Sequence, residues 1–230
     1  TYWYHPHLHM KTAEQAIKGA AGLIIVRDPQ EASLNLPRRY GVDDFPIIVQ
    51  CQEYDIQNQA MPLGMQDSTL LVNGARANYG HSVYANLPAQ MVRFRLLNAS
   101  GERAFNFGLS GNIAFHQIGS DGGLLNLPFT TTRVQLAPGE RAEIVVDLSG
   151  MQGQTIYLMS YASELAMGVQ GGPTMPMPIG YPPMDSPLNG VDFSVMQINV
   201  SAPTLNPIIT IPSTLENNIP YPLSSSNITR

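Results

Sequence analysis

The chain has 230 residues, 43% hydrophobic and 13% charged, which supplies a buried core and is too little charge for a disordered tail. Its net charge is −5, with no run of Lys or Arg, and this argues against nucleic acid, because phosphate binding needs clustered cations. A single cysteine, Cys51, excludes an internal disulfide framework and any multi-cysteine zinc site, and there is no stretch of about 18 apolar residues to span a membrane.

The first element, Thr1–Tyr4, is aromatic and strand-like. Behind it comes His5-Pro6-His7-Leu8-His9, which holds three of the five histidines. Residues 12–22 read as a short helix, with Thr12 as N-cap, Gln15 completing a capping box and Gly22 ending it. Leu23-Ile24-Ile25-Val26 reads as a short buried strand stopped by Asp28-Pro29. Residues 28–45, with Pro29, Pro37 and few apolar residues in series, have the composition of a linker.

A longer β region opens at Pro46-Ile47-Ile48-Val49-Gln50 and runs to about residue 200. Strands are expected at Thr69–Val72, Gln90–Leu97, Ala104–Leu109, Ala114–Ile118, Arg133–Leu136, Ala142–Leu148, Thr155–Ser160 and Asp192–Val200. Val92, Phe94 and Leu96 alternate with Arg93 and Arg95, the period of a half-buried strand. Asn73-Gly74, Asp121-Gly122-Gly123 and Pro138-Gly139 supply turns. Many short strands with almost no helix predict an all-β sandwich or barrel. Residues 167–190 interleave Met167, Met175, Met177 and Met184 with Gly and Pro, and read as a loop. Residues 201–230 are again Pro-rich and read as a connector leading away from the domain, with no core of its own.

On an extended chain alternate side chains share a face, so His5 and His7 would point the same way, with His9 following if the strand continues. Pro6 stiffens the backbone between them. Two imidazoles so placed can grip one metal or two adjacent ones, and imidazole suits Cu, Zn, Ni and Fe. They can equally be ordinary strand histidines with hydrogen-bond partners, and spacing alone does not decide. A copper or zinc centre needs about three or four protein ligands. His81 and His116 are distant in sequence, so further ligands would have to come from elsewhere.

The stretch Thr1-Tyr-Trp-Tyr-His-Pro-His-Leu-His-Met-Lys-Thr, followed by Gly19-Ala-Ala-Gly-Leu-Ile-Ile-Val-Arg-Asp-Pro, resembles the second copper motif of bacterial multicopper oxidases, the laccase and cuprous-oxidase relatives. Further matches follow in the family's order: Leu71-Val-Asn-Gly, Val92-Arg-Phe-Arg-Leu-Leu-Asn-Ala-Ser, Ile118-Gly-Ser-Asp-Gly-Gly-Leu-Leu, Leu136-Ala-Pro-Gly-Glu-Arg-Ala-Glu-Ile-Val-Val-Asp and Met196-Gln-Ile-Asn-Val. The resemblance covers roughly residues 1–204.

This resemblance implies a cupredoxin-like Greek-key sandwich, the middle of three stacked cupredoxin domains. Residues 1–27 would be the end of domain 1, 28–45 a linker, 46–200 domain 2 and 201–230 the lead into domain 3. Such enzymes carry a type 1 copper and a trinuclear type 2/type 3 cluster. By the motif, His5 and His7 would each bind a different type 3 copper, with His9 supporting them rather than ligating. The remaining histidine motifs and the type 1 cysteine would lie outside this chain, which is then a cut piece and inactive alone. Cys51 lacks the flanking histidines of that cysteine and reads as a small buried hydrophobe. Met10 stands where the family commonly has glycine.

The family oxidises phenols, or Cu(I), and reduces dioxygen to water, outside the cytoplasm, in the periplasm or secreted. Thioether sulfur suits Cu(I), so Met175, Met177 and Met184 are candidate Cu(I) contacts, beside a reading as apolar filler. His116 reads as structural, His81 as exposed, and Asp121-Gly122-Gly123 as turn geometry. Two alternatives stand. One is a non-enzymatic relative serving in cell-envelope assembly or division, which usually loses the copper histidines. The other is a two-domain copper oxidase or nitrite reductase relative.

Overall fold

A computed structural model describes residues 1–61, 66–77, 83–174 and 186–219. His81 and the three candidate methionines, Met175, Met177 and Met184, lie outside the described residues. In chain order the strands are β1 (Tyr2–Tyr4), β2 (Gly22–Ile24), β3 (Asp44–Gln52), β4 (Thr69–Val72), β5 (Ala75–Ala77), β6 (Tyr84–Pro88) and β7 (Met91–Asn98). They continue as β8 (Phe105–Leu109), β9 (Phe115–Ser120), β10 (Gly123–Thr131), β11 (Val134–Leu136), β12 (Arg141–Asp147), β13 (Thr155–Ser160) and β14 (Phe193–Ser201). The described α-helices are both short, α1 (Thr12–Ile17) and α2 (Pro29–Ser33). None is long and apolar enough to cross a membrane.

Two sheets face each other. One has the order β10-β9-β12-β7-β3-β4-β5 and the other β11-β8-β13-β14-β6. Two neighbouring pairs, β3 with β7 and β14 with β6, are parallel. Parallel neighbours cannot be joined by a tight hairpin, so the chain crosses between the sheets, as in a cupredoxin-like sandwich. The inward residues alternate with outward ones: Val92, Phe94 and Leu96 of β7 and Ala142, Ile144 and Val146 of β12 enter the core between the sheets. All eight strands expected between Thr69 and Val200 are present, and β5, β6 and β10 add to them.

The outer face of the larger sheet differs from expectation. Arg93 and Arg95 are only 2% exposed, so β7 is buried on both sides rather than half-buried. The cover comes from the two Pro-rich segments. Asp28 does not simply end β2: its carboxylate accepts the Glu31 backbone N–H at 2.8 Å and, with Pro29 in the first turn, starts α2. This carries Glu31 onto Arg93. The connector after β14 does not lead away with no share in a core. Leu215 is buried with Leu36, Met91, Ile118 and Val145, and Ile208 and Ile211 pack against that second cluster. The two connectors also bond each other, Gln30 donating to Glu216 at 2.6 Å and Asn35 to the Thr210 carbonyl at 3.1 Å.

The N-terminal helix is shorter than the pattern predicts. Thr12 caps nothing; its hydroxyl instead donates to the Leu8 carbonyl at 3.1 Å, and Lys11 holds the N-cap position. Gly22 belongs to β2. That strand pairs only with β1, so Ile24, expected to be buried, is 47% exposed.

Candidate metal centre

The site is built on β1. Trp3 pairs with Leu23 across the two-stranded ladder, which ends at Tyr4 opposite Gly22. The Tyr4 ring folds over Gly22, and an added Cβ there would lie 2.7 Å from its hydroxyl. Side chains alternate, so Tyr2 and Tyr4 face outward while Trp3 turns toward the sandwich. Its ring lies over Gly139, in the turn between β11 and β12.

β1 is fastened to the sandwich by polar contacts as well. The Thr1 hydroxyl donates to Glu143 and accepts from Arg95 Nη1 at 2.6 Å, and Arg141 Nε donates to the Thr1 carbonyl at 3.4 Å. Gln52 Nε2 donates to the carbonyl of Ile17, at the end of α1, at 2.6 Å. Beneath lies a buried ion network. Glu143 accepts from Arg93 Nε at 2.8 Å and Arg95 Nη1 at 2.9 Å. Asp44 accepts from Arg95 Nε at 2.8 Å and pairs with Arg27 at 2.7 Å. Glu31 accepts from Arg93 Nη1 at 2.6 Å. Burial alone would raise the Glu143 pKa, but the guanidinium groups of Arg93 and Arg95 outweigh it and hold the carboxyl at about 2. A polar recess of about 230 Å³ lies against these residues, whose charges already pair with one another.

The structure brings two of the three motif histidines together. The His5 ring stacks on Trp3, centroids 4.3 Å apart, and the His7 ring lies 4.2 Å from His5 with a 34° tilt. His5 Nδ1 is 3.1 Å from the Pro6 carbonyl, so in the tautomer that donates there Nε2 is the free ligand nitrogen. His9 is not part of this pair. It sits exposed in the following turn beside Met10, whose φ is +58°. That left-handed backbone favours glycine, which accounts for the residue the family commonly has at this position.

The donor set fits copper as part of a site. Imidazole nitrogens suit copper, and the pair stands at the surface of the described residues, His7 exposed and His5 partly so. It does not fit as a complete site: among the described residues no group of three or more His, Cys, Asp or Glu could hold a metal ion. His116 is accounted for by a 2.9 Å hydrogen bond with the Thr130 hydroxyl. Cys51 is buried, its thiol donating to the Asp67 carbonyl at 3.1 Å, and burial, then the nearby Asp67 charge, pushes its pKa to about 12. That is the environment of an inert thiol.

The multicopper oxidase family model matches residues 48–175, more than half of the chain, and a second multicopper oxidase model matches residues 1–31. The chain belongs to the multicopper oxidase family. Among solved structures, the laccase-like multi-copper oxidase CueO from Ochrobactrum sp. is 32% identical and superposes with a TM-score of 0.74, over 97% of this chain and 45% of that one. The McoA multicopper oxidase from Aquifex aeolicus is 30% identical with a TM-score of 0.77, over 97% of this chain and 46% of that one. Among curated relatives, the cell division protein FtsP of Rahnella sp. (strain Y9602) is 40% identical over 161 residues, 68% of this chain and 33% of the relative. FtsP of Escherichia coli (strain K12) is 40% identical over 154 residues, 65% of this chain and 32% of the relative. The chain thus spans about a third of the length of the curated relatives it matches.

Proposed function

We propose that this chain is the central part of a multicopper oxidase in which His5 and His7 each give Nε2 to one of two adjacent type 3 coppers. The observation that carries the reading is the imidazole pair, with ring centroids 4.2 Å apart at a 34° tilt on an exposed edge. Copper held there, with a type 1 centre supplied from outside the chain, would pass four electrons with four protons to dioxygen, giving two waters. The chain's own residues bind and orient: the Pro6 carbonyl fixes the His5 tautomer and the β1–β2 ladder fixes the strand, while His9, exposed in the following turn, takes no part in the pair. Phenolic compounds or Cu(I) are the proposed electron donors, with Met175, Met177 and Met184 as proposed Cu(I) contacts. An extracytoplasmic location goes with this reading.

The test is made on the full-length parent protein. It should bind about four coppers and consume dioxygen with a phenol or Cu(I), and a His5→Ala/His7→Ala variant should lose the coupled-copper spectrum and oxygen uptake together. Unchanged uptake in that variant refutes the ligand assignment. The 230-residue chain alone, given Cu(II), should turn over no phenol.

One observation favours a second reading. The 40% identity to FtsP points to a role in cell division, in which the cupredoxin domains serve as a binding scaffold. A parent that binds no copper, yet complements a division defect with both histidines replaced, would establish that reading over the first.

A further inference from the structure

We propose that Trp3, seated on the Gly139 turn, is a positioning residue that sets the orientation of the His5–His7 imidazole pair. Trp3, His5 and His7 form one continuous ring stack, with centroid steps of 4.3 and 4.2 Å and tilts of 28° and 34°. The stack has a floor. A Cβ added to Gly139 would lie 3.4 Å from Trp3 Cζ2 and 3.9 Å from Cε2 and Nε1, ordinary van der Waals contact, so the indole faces that turn across a gap that one methyl group would fill.

The floor is rigid for reasons independent of the histidines. Gly139 has φ +83°, a conformation that L side chains avoid. Its N–H donates to the Asn98 carbonyl at 2.8 Å, and its carbonyl accepts from Arg141 Nη1 at 3.2 Å. The Glu140 carboxylate closes the turn by accepting the Ala137 N–H at 2.7 Å. A flat ring set between this turn and His5, and stacked on the imidazole, limits the imidazole's tilt and through it that of His7. The seat comes from the long β region and the ligands from the short ladder before it, so the pair's geometry depends on how those two parts pack.

What the pair does with this orientation rests on the copper reading; the orientation itself does not. Supporting groups around metal ligands typically change affinity 10–100-fold when replaced. Trp3 is the sole tryptophan of the chain, so its emission reports on the stack directly.

The experiment uses the 230-residue chain with Trp3→Phe, Trp3→Leu, Gly139→Ala and Gly150→Ala. Gly150 has φ +76° and nothing within 4 Å of an added Cβ, so alanine there carries the same backbone strain without touching Trp3. The first readout needs no metal: the imidazole C–H proton signals of His5 and His7, displaced by the neighbouring ring currents. The second is Cu(II) affinity by chelator competition, with quenching of Trp3 emission as a check in the native chain.

Trp3→Leu should return the imidazole signals to ordinary positions and weaken Cu(II) about tenfold. Trp3→Phe should largely restore both, Gly139→Ala should move the signals, and Gly150→Ala should not. Unmoved signals in Trp3→Leu overturn the proposal. So does native Cu(II) affinity in Trp3→Leu when His5→Ala/His7→Ala abolishes binding. If the signals respond as expected but the double histidine variant binds Cu(II) like the native chain, the positioning stands and the copper reading falls.

Discussion

On its inner side β7 sends Val92, Phe94 and Leu96 between the two sheets, where removal from water fixes them. On its outer side the same strand sends Arg93 and Arg95 under the connectors, where Glu31, Asp44 and Glu143 fix them one bond at a time. The inner face is non-directional: any apolar set of the right volume would fill it. The outer face is specific, because each guanidinium donates its N–H groups in a fixed fork that an acceptor must meet at the right angle. The difference explains how two Pro-rich segments of little regular structure come to lie in fixed places. Ion pairs fix the first segment through Glu31, and a small apolar cluster around Leu215 with hydrogen bonds from Gln30 and Asn35 holds the second.

The two largest effects should be equal in size and opposite in character. Phe94→Ala leaves a cavity and should cost about 3–5 kcal/mol. Glu143→Gln leaves two buried guanidinium groups short of a charge and should also cost about 3–5 kcal/mol. Urea unfolding at pH 7 measures both.

Acid separates them. Glu143 is held at about 2 against an ordinary value of 4.5, so its contribution is complete above about pH 4.5 and fades as pH falls toward 2. The stability gap between native and Glu143→Gln should therefore close over that interval, while the gap to Phe94→Ala should persist. If both gaps close together, the two faces are not independent.

Leu215→Ala tests the seal on the outer face and should cost about 2–3 kcal/mol, at the lower end for a buried leucine because that cluster is small. Hydrogen exchange should quicken along residues 202–219 and leave β8 and β13 protected. The smallest effect belongs to the histidine turn. Met10 is 88% exposed at φ +58°, so Met10→Gly removes backbone strain and no packing, and should stabilise the chain by up to about 1 kcal/mol in thermal unfolding.

The expected strands were legible because they pair an apolar face with turn residues at each end. The missed ones lack that signature. β10 carries Asn126 and Pro128 and exposes Leu127 and Phe129 at the edge of its sheet. β6 ends in Pro88 and is a strand through parallel pairing with β14, more than a hundred residues on. Alternation located Arg93 and Arg95 on the right face and misjudged their burial, because the groups that cover them, Glu31 and Thr1, are remote in sequence, as are the carboxylates of Asp44 and Glu143 beside them in the sheet. The same distinction runs through the site. His5 and His7 announce themselves by spacing. The link from Trp3 to Gly139 joins residues far apart in sequence, and nothing in either neighbourhood marks it.

The seat of β1 also has a consequence for synthesis. Gly139 follows Trp3 by more than a hundred residues, so β1 leaves the ribosome with no surface to rest on. At roughly 5–20 residues per second, the His5-Pro6-His7 segment stays in the open for on the order of 10 s before its platform is made. During that interval the imidazoles are free to meet any metal in any geometry, and their final arrangement waits on the turn between β11 and β12.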